Sequence, residues 1–215
     1  MTESQTITAA VEKASGAIRM VEAQNFAPVL PRGLAPEKFQ RWAVHLLSRP
    51  ELVDVAKTDP GRLSIVKALM DCASLGLEPG REYHLVPFGG LVTGVTDYKG
   101  EIRLITNAQR CVVVAQLVHK ADTFHMIGAN IPPRHAAPDD DWFADRGPVT
   151  GGYAYADFGS GLCSMVVTMN EAEFLHHRDK AKTKSVWDEW PEPQRLKTLV
   201  RQLRKWVPWS PERMH

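Results

Sequence analysis

Apolar positions along this chain change period twice, from helical spacing to alternation and back to helical spacing. Ile7, Val11, Ala14, Ile18 and Val21 recur at steps of four and three, which predicts a helix over about residues 6–24. Two heptads carrying small residues make a weak free-standing coiled coil, so this seam must dock on the chain's own core or on a neighbouring subunit. Asn25 to Gly33, with Pro28 and Pro31, reads as a linker. Pro36 can open a second helix at its first position, where the missing N–H costs nothing. Phe39, Trp42, Ala43, Leu46 and Leu47 line it, and Pro50 ends or interrupts it. Asp59-Pro60 starts another, with Leu63, Val66, Leu69, Met70 and Ala73 as its expected core face and Gly76 just past its end.

The pattern then becomes that of strands. Tyr83–Phe88 and Leu91–Thr96 flank Gly89-Gly90, the signature of a two-residue hairpin turn. A short helix over Glu101–Arg110 precedes a β-branched run, Cys111–Val118, and a further strand is expected near Thr123–Ile127. Ile131 to Thr150 reads as a long loop rich in Pro and Asp. Gly152–Phe158 and Leu162–Thr168 alternate around Gly159-Ser160-Gly161 as a second hairpin. Helices return at Asn170–Arg178, with Asn170 as N-cap, and at Glu192–Trp206. The order predicts an α+β fold, an antiparallel sheet core packed by helices, with a docking N-terminal helix and a basic C-terminal helix. Residues 1–26 are expected to form the docking helix, 27–210 a single domain and 211–215 a short tail.

Composition narrows the class. The 215 residues are 44% hydrophobic and 24% charged, which argues against disorder along most of the chain. Cys72, Cys111 and Cys163 are odd in number and form no CxxC pair, so a reducing cytoplasm is expected rather than a disulfide framework. The N-terminus lacks the apolar core of a signal peptide, and no apolar run approaches the roughly 18 residues of a membrane span. The net charge of +1 conceals an asymmetry. Residues 1–175 carry 16 Lys/Arg against 20 Asp/Glu, whereas residues 176–205 carry nine against four. A basic segment on a mildly acidic body points to a polyanion met by one face.

Catalytic signatures are missing. No G-x-x-x-x-G-K-[ST] occurs, since Gly94 to Gly100 has its glycine and lysine in the wrong order, and neither GxGxxG, HExxH nor GxSxG is present. A metal-dependent nuclease would have to use His119, Asp122 and His125, with His135 or Asp139-Asp140-Asp141 nearby; the β-branched approach to His119 argues against one shared helical face. No catalytic residue, metal site or cofactor is therefore expected. What remains suits a binder of single strands, which needs cations along the phosphates and aromatic or apolar groups against the bases. Tyr98, Lys99, Arg103 and Arg110 form one cluster, and Arg103 and Arg110, seven apart, would share a helix face. Lys197, Arg201, Arg204 and Lys205 form a second stripe, Trp187, Trp190, Trp206 and Trp209 crowd the same region, and Lys180, Lys182 and Lys184 lie in a basic loop.

At these residues the chain resembles the RecT family of phage single-strand annealing proteins. The resemblance runs through Ser64–Pro79, Tyr83–Phe88, Tyr98-Lys-Gly100, Val118–Phe124, Gly151–Ala156, Trp187 and Lys197–Pro208, an ordered series over about residues 35–210. It implies ATP-independent annealing of complementary strands in phage recombination by a homo-oligomer, a ring or helical filament, that also holds the nascent duplex. It further implies a phage or prophage protein in the bacterial cytoplasm, working beside a 5′→3′ exonuclease, with magnesium exerting at most a non-specific effect on annealing. Lys99, Arg103, Arg110, Lys197, Arg201 and Lys205 become the groove positions, with Tyr98, Lys180 and Lys184 beside them; Ile7, Val11, Ile18 and Val21 become the subunit contact. Gln194, with Pro193 ahead of it, departs from the family pattern and implies a late start for the final helix, whereas Leu196 and Gln202 imply a less basic groove. Members commonly extend further than His215, so a partner-binding tail is expected to be absent or minimal and a host single-stranded-DNA-binding protein is not an expected partner. Annealing is downhill, since stacking supplies about 1.4 kcal/mol per step, so the task calls for no hydrolytic site. Two rivals remain: a passive single-strand coat, and the nuclease of His119, Asp122 and His125.

Overall fold

The structure, a computed structural model, describes residue 16 and residues 18–181 and 184–214. The chain divides into two compact units, residues 1–100 and 101–215.

In the first unit, residues 18–22 are helical, and most of the N-terminal helix expected over residues 6–24 lies outside the described residues. Val21 is buried there, and the Gln40 side-chain amide donates to the Glu22 carbonyl at 2.8 Å, so this turn docks on its own unit. Phe26 of the linker packs against Phe39, ring centroids 5.0 Å apart. Helix α1 (Pro36–Leu47) opens on proline as expected and buries Phe39, Ala43, Leu46 and Leu47. Pro50 stops α1 and also opens a short α2 (Pro50–Val55) that the sequence pattern did not separate. Helix α3 (Asp59–Ser74) is capped by Thr58, whose hydroxyl accepts from the Gly61 amide at 3.1 Å, and Gly76 beyond its end has φ +65°. Its core face is Ile65, Ala68, Leu69, Cys72 and Ala73. Leu63, expected in that core, is 71% exposed, because the stripe through Ile65, Leu69 and Cys72 turns it outward.

The hairpin β1 (Tyr83–Phe88) and β2 (Leu91–Thr96) pairs Phe88 with Leu91, and Gly89 and Gly90 take φ of +57° and +78° between them. Two consecutive positive φ values at a two-residue turn are what glycine supplies without a Cβ penalty. Helix α3 packs on β2, and the Ser64 hydroxyl accepts from the Val92 amide at 2.8 Å.

Helix α4 (Tyr98–Ala108) carries the chain into the second unit, opening three residues earlier than the sequence pattern indicates. Asp97 accounts for this early start, because its carboxylate accepts from the Lys99 amide at 3.1 Å. The sheet is built on β3 (Val112–His119), with β4 (Thr123–His125) and β5 (Arg134–Ala136) forming a separate small ribbon. The expected loop over 131–150 thus contains β5 and a 3-10 turn at Pro138–Asp140. Strand β6 (Val149–Gly159) is central, with β3 on one side and β7 (Leu162–Cys163) and β8 (Val167–Asn170) on the other, all antiparallel. The second hairpin is therefore present but broken at Ser164–Val166. There the Val166 amide leaves the ladder for the Ala129 carbonyl at 2.7 Å.

Helices α5 (Glu171–Asp179), α6 (Ser185–Glu189) and α7 (Pro191–Leu203) complete the unit. Asn170 caps α5 in a reciprocal box with Glu173, side chain to amide at 3.0 and 2.8 Å. Alternation along β6 separates two chemistries. Ala154 and Ala156 join one core cluster with Leu199 and Leu203 of α7 and Phe174 of α5, whereas Tyr153 belongs to a second with Val118, Cys163 and Val166. Small residues on the helix-facing side let α7 lie close to the sheet. The whole is α+β, antiparallel sheet packed by helices, as the pattern predicts. Among the described residues no helix is long and apolar enough to cross a membrane.

Candidate nucleic-acid interface

The buried face of α7, Thr198, Leu199, Val200 and Leu203, fixes the orientation of its cations. Arg201 and, just past the helix, Lys205 are exposed, and Lys197 is half-buried. Lys205 donates to the Gln202 side chain at 2.7 Å. Beyond the helix the chain folds back on α4: the Ser210 amide donates to the Leu104 carbonyl at 2.9 Å and the Met214 amide to the Asn107 carbonyl at 2.8 Å. The expected short tail is thus hydrogen-bonded back to α4 as far as Met214, whose side chain stays exposed.

This return brings the two basic regions of the second unit together at Glu101, the buried acid in the first turns of α4. Arg204 Nε lies 2.7 Å from Glu101 Oε2, and its guanidinium covers the Trp209 ring at 4.5 Å. Burial pushes the Glu101 carboxyl up; the charges of Arg204 and Arg201 act against that shift without cancelling it. On α4 itself Arg103 is half-buried and Arg110, past the helix end, is exposed. In the first unit Lys99 is exposed, its ammonium 6.0 Å from the Tyr98 ring centroid.

Several cations of the basic segment are committed to acids. Arg195 makes a two-point ion pair with Glu171, Nε to Oε2 at 3.0 Å. Arg178 holds Asp188 through Nε at 3.0 Å and its terminal nitrogen at 2.6 Å. Lys184 sits 3.7 Å from Asp179, both largely exposed, an interaction of little energetic weight. Lys180 is exposed, and Lys182 lies outside the described residues. Trp187 packs against the core, whereas Trp190, Trp206 and Trp209 are exposed. Of the seam assigned to subunit contact, Val21 is fully buried in its own unit and Ile18 half-buried; Ile7 and Val11 lie outside the described residues.

The histidines and acids weighed for a metal form a different object. Asp122 and His135 side chains are essentially inaccessible, with His135 Nε2 2.9 Å from Asp122 Oδ2. Arg146 grips both oxygens of Asp122, at 2.7 and 2.5 Å, and the His119 amide donates to Oδ2 at 2.7 Å. His135 Nδ1 faces the Gln116 side-chain Oε1 at 3.1 Å and the Tyr153 hydroxyl at 3.2 Å. Burial alone would raise the Asp122 carboxyl. Hydrogen bonds from Arg146, His119 and His135, with the charge of Arg146, outweigh it and hold the group well below the usual carboxylate range. His125 is exposed and takes no part. A carboxylate so fully occupied fastens the 134–147 segment to β3. Nothing in the sequence pattern pairs Asp122 with Arg146, so this cluster was missed, as was Glu101–Arg204. Among the described residues no group of three or more His, Cys, Asp or Glu is arranged to hold a metal ion.

The chain matches the model of the RecT family over residues 39–214, across both units, and belongs to that family. Its members anneal single-stranded DNA in recombination. The chain is similar to Protein RecT of Escherichia coli K12, with 28% identity over 203 residues, 88% of this chain and 72% of the relative.

Proposed function

We propose that this chain anneals complementary single strands without ATP, as an oligomer that holds the phosphates along cations of α4 and α7. The observation that carries the reading is the construction of α7. Its apolar side is buried against the small-residue face of β6, while Lys197 and Arg201 lie outside that buried face and Lys205 follows just past the helix end. Phosphate contact of this kind is sequence-independent, as an annealing protein requires. Arg103 on α4 and Arg110 just past its end extend the same cationic character, and Lys99 with Tyr98 begins that helix. Lys180 and Lys184 are secondary positions, since Lys184 already faces Asp179. The protein would concentrate and extend strands, leaving base pairing to supply the free energy.

No covalent step, cofactor or nucleotide enters this mechanism, and magnesium would act only by screening phosphates. A 5′→3′ exonuclease is the natural source of the single strand. The test is the annealing rate of two complementary oligonucleotides with purified protein and no nucleotide, with strand integrity followed in parallel. Acceleration with intact strands is expected. Binding without acceleration would make the protein a passive coat, and shortened strands would make it a nuclease.

A further inference from the structure

We infer that the pocket at the C-terminal end of α7 holds an unstacked nucleobase of the single strand, with the strand's phosphates lying outside it on Arg201 and Lys205. The inference rests on the single-strand reading above and names a base site within it. The pocket, about 610 Å³, opens between β8, α5 and the chain just past α7. That volume is in the range of small-molecule sites.

Two kinds of group line it. Val167 and Met169 are buried and supply apolar surface, while the Trp206 indole, 59% exposed, and the exposed His176 ring supply flat faces. Stacking on such faces accepts any base, because every base has a π-face. Thr168, Glu173 and Gln202 add hydroxyl, carboxylate and amide, the groups that meet the donors and acceptors of a base edge. Among the described residues no lysine or arginine lines the pocket, and Glu173 brings a negative charge, so a phosphate is disfavoured inside it.

The cations stand beside the lining instead of in it. Arg201 precedes Gln202 and Lys205 precedes Trp206, and both cations are exposed. Lys205 Nζ donates to Gln202 Oε1 at 2.7 Å, which ties a proposed phosphate contact directly to a pocket residue. A neutral ring carried on an anionic backbone matches this division, and a nucleotide within a strand is that ligand. An inorganic phosphate lacks the ring, and an apolar protein side chain would leave the polar lining and the adjacent cations unmatched.

Gln202 is already oriented. Its Nε2 lies 3.3 Å from His177 Nε2 while its Oε1 accepts from Lys205, so one placement of the amide satisfies both. The His177 contact needs an unprotonated Nε2. Burial, with the neighbouring charges of His176, Lys205 and Lys180, holds that imidazole below its usual value. A side chain held in this way loses little freedom when a base arrives. A base whose edge faces Glu173 and Gln202 is not available for pairing, so the site serves the single strand and is vacated as the complementary strand anneals.

The test compares two labelled strands on the full chain by fluorescence anisotropy, an oligothymidylate and an abasic strand of the same length and phosphate count. The parent should bind the base-bearing strand about tenfold or more tightly. Trp206→Leu removes the indole face, and Ala172→Leu narrows the pocket from an exposed lining position on α5. Each should lose most of that preference, with abasic affinity and salt slope unchanged. Circular dichroism checks folding, and either folded variant suffices. A folded variant that keeps the full preference overturns the site; weakened self-assembly in sedimentation would then give the pocket to a second copy. Equal losses on both strands would make this end of α7 a phosphate contact only and overturn it too. A parent that binds both strands equally overturns the base site and leaves phosphate binding standing. A parent that binds neither overturns the base site and the single-strand reading together.

Discussion

Arg146 and Asp122, twenty-four residues apart, meet in a two-point ion pair whose carboxylate has no solvent exposure. The pair converts what the sequence presents as a long loop into a fixed strap, with β5 at one end and Arg146 at the other. Arg146→Ala leaves Asp122 buried without its main counter-charge. Breaking such a pair costs about 3 kcal/mol, roughly 6–12 °C in Tm at this chain length. Arg146→Lys should recover only part of this, because an ammonium cannot make the two-point contact. Thermal unfolding and limited proteolysis between Pro138 and Gly147 read both effects, and an unchanged cleavage rate would show the strap is held by other means.

The same carboxylate sets an acid profile. Its proton affinity is depressed in the folded chain, so its contribution to stability is complete above the ordinary unfolded value of about 3.9 and is lost as pH falls through its lower folded value. The stability gap between the parent and Asp122→Asn should therefore stay constant from pH 7 to about 5 and narrow only below about pH 4. Urea titrations at stepped pH measure this. A gap that closes already near pH 6 would transfer the control to a histidine.

Most of the fold is legible because it is specified locally. Gly89-Gly90 writes a hairpin turn into two residues, and Asn170 with Glu173 writes a helix start into four. Pro50 is ambiguous on the same grounds, since proline both ends one helix and can begin the next. What the pattern could not supply depends on distant partners. The break in the second hairpin exists because the Val166 amide goes to Ala129, and the exposure of Leu63 follows from which stripe of α3 finds β2. At the site, charge spacing identified the cationic helix but not which cations are spent. Arg195, Arg178 and Arg204 meet Glu171, Asp188 and Glu101 only through tertiary packing.

Substitutions on α7 should fall into two kinds. Replacing Lys197 and Arg201 with Gln should lower single-strand affinity and flatten its log–log salt dependence by about 1.4, at roughly 0.7 per phosphate contact. Arg195→Gln, whose guanidinium is turned to Glu171, should instead lower Tm and leave the slope unchanged. Fluorescence anisotropy of a labelled oligonucleotide across a salt series separates them. Equal slopes for the parent and the double variant would move the groove away from α7.

Gly152 tests whether α7 must lie close to the sheet. A Cβ at this position would stand 2.8 Å from Leu199 Cδ1 and 2.9 Å from the Gln116 carbonyl oxygen. Gly152→Ala should cost about 1–3 kcal/mol by overpacking and push α7 outward, carrying Lys197 and Arg201 with it. Leu199→Ala alone should cost about 2–5 kcal/mol through the cavity it leaves. Because the new methyl partly fills that cavity, the double variant should be more stable than the two single costs added together, a coupling that independent sites do not show. Chemical denaturation of the four proteins closes the cycle, and strict additivity would mean that the helix does not register the residue beneath it.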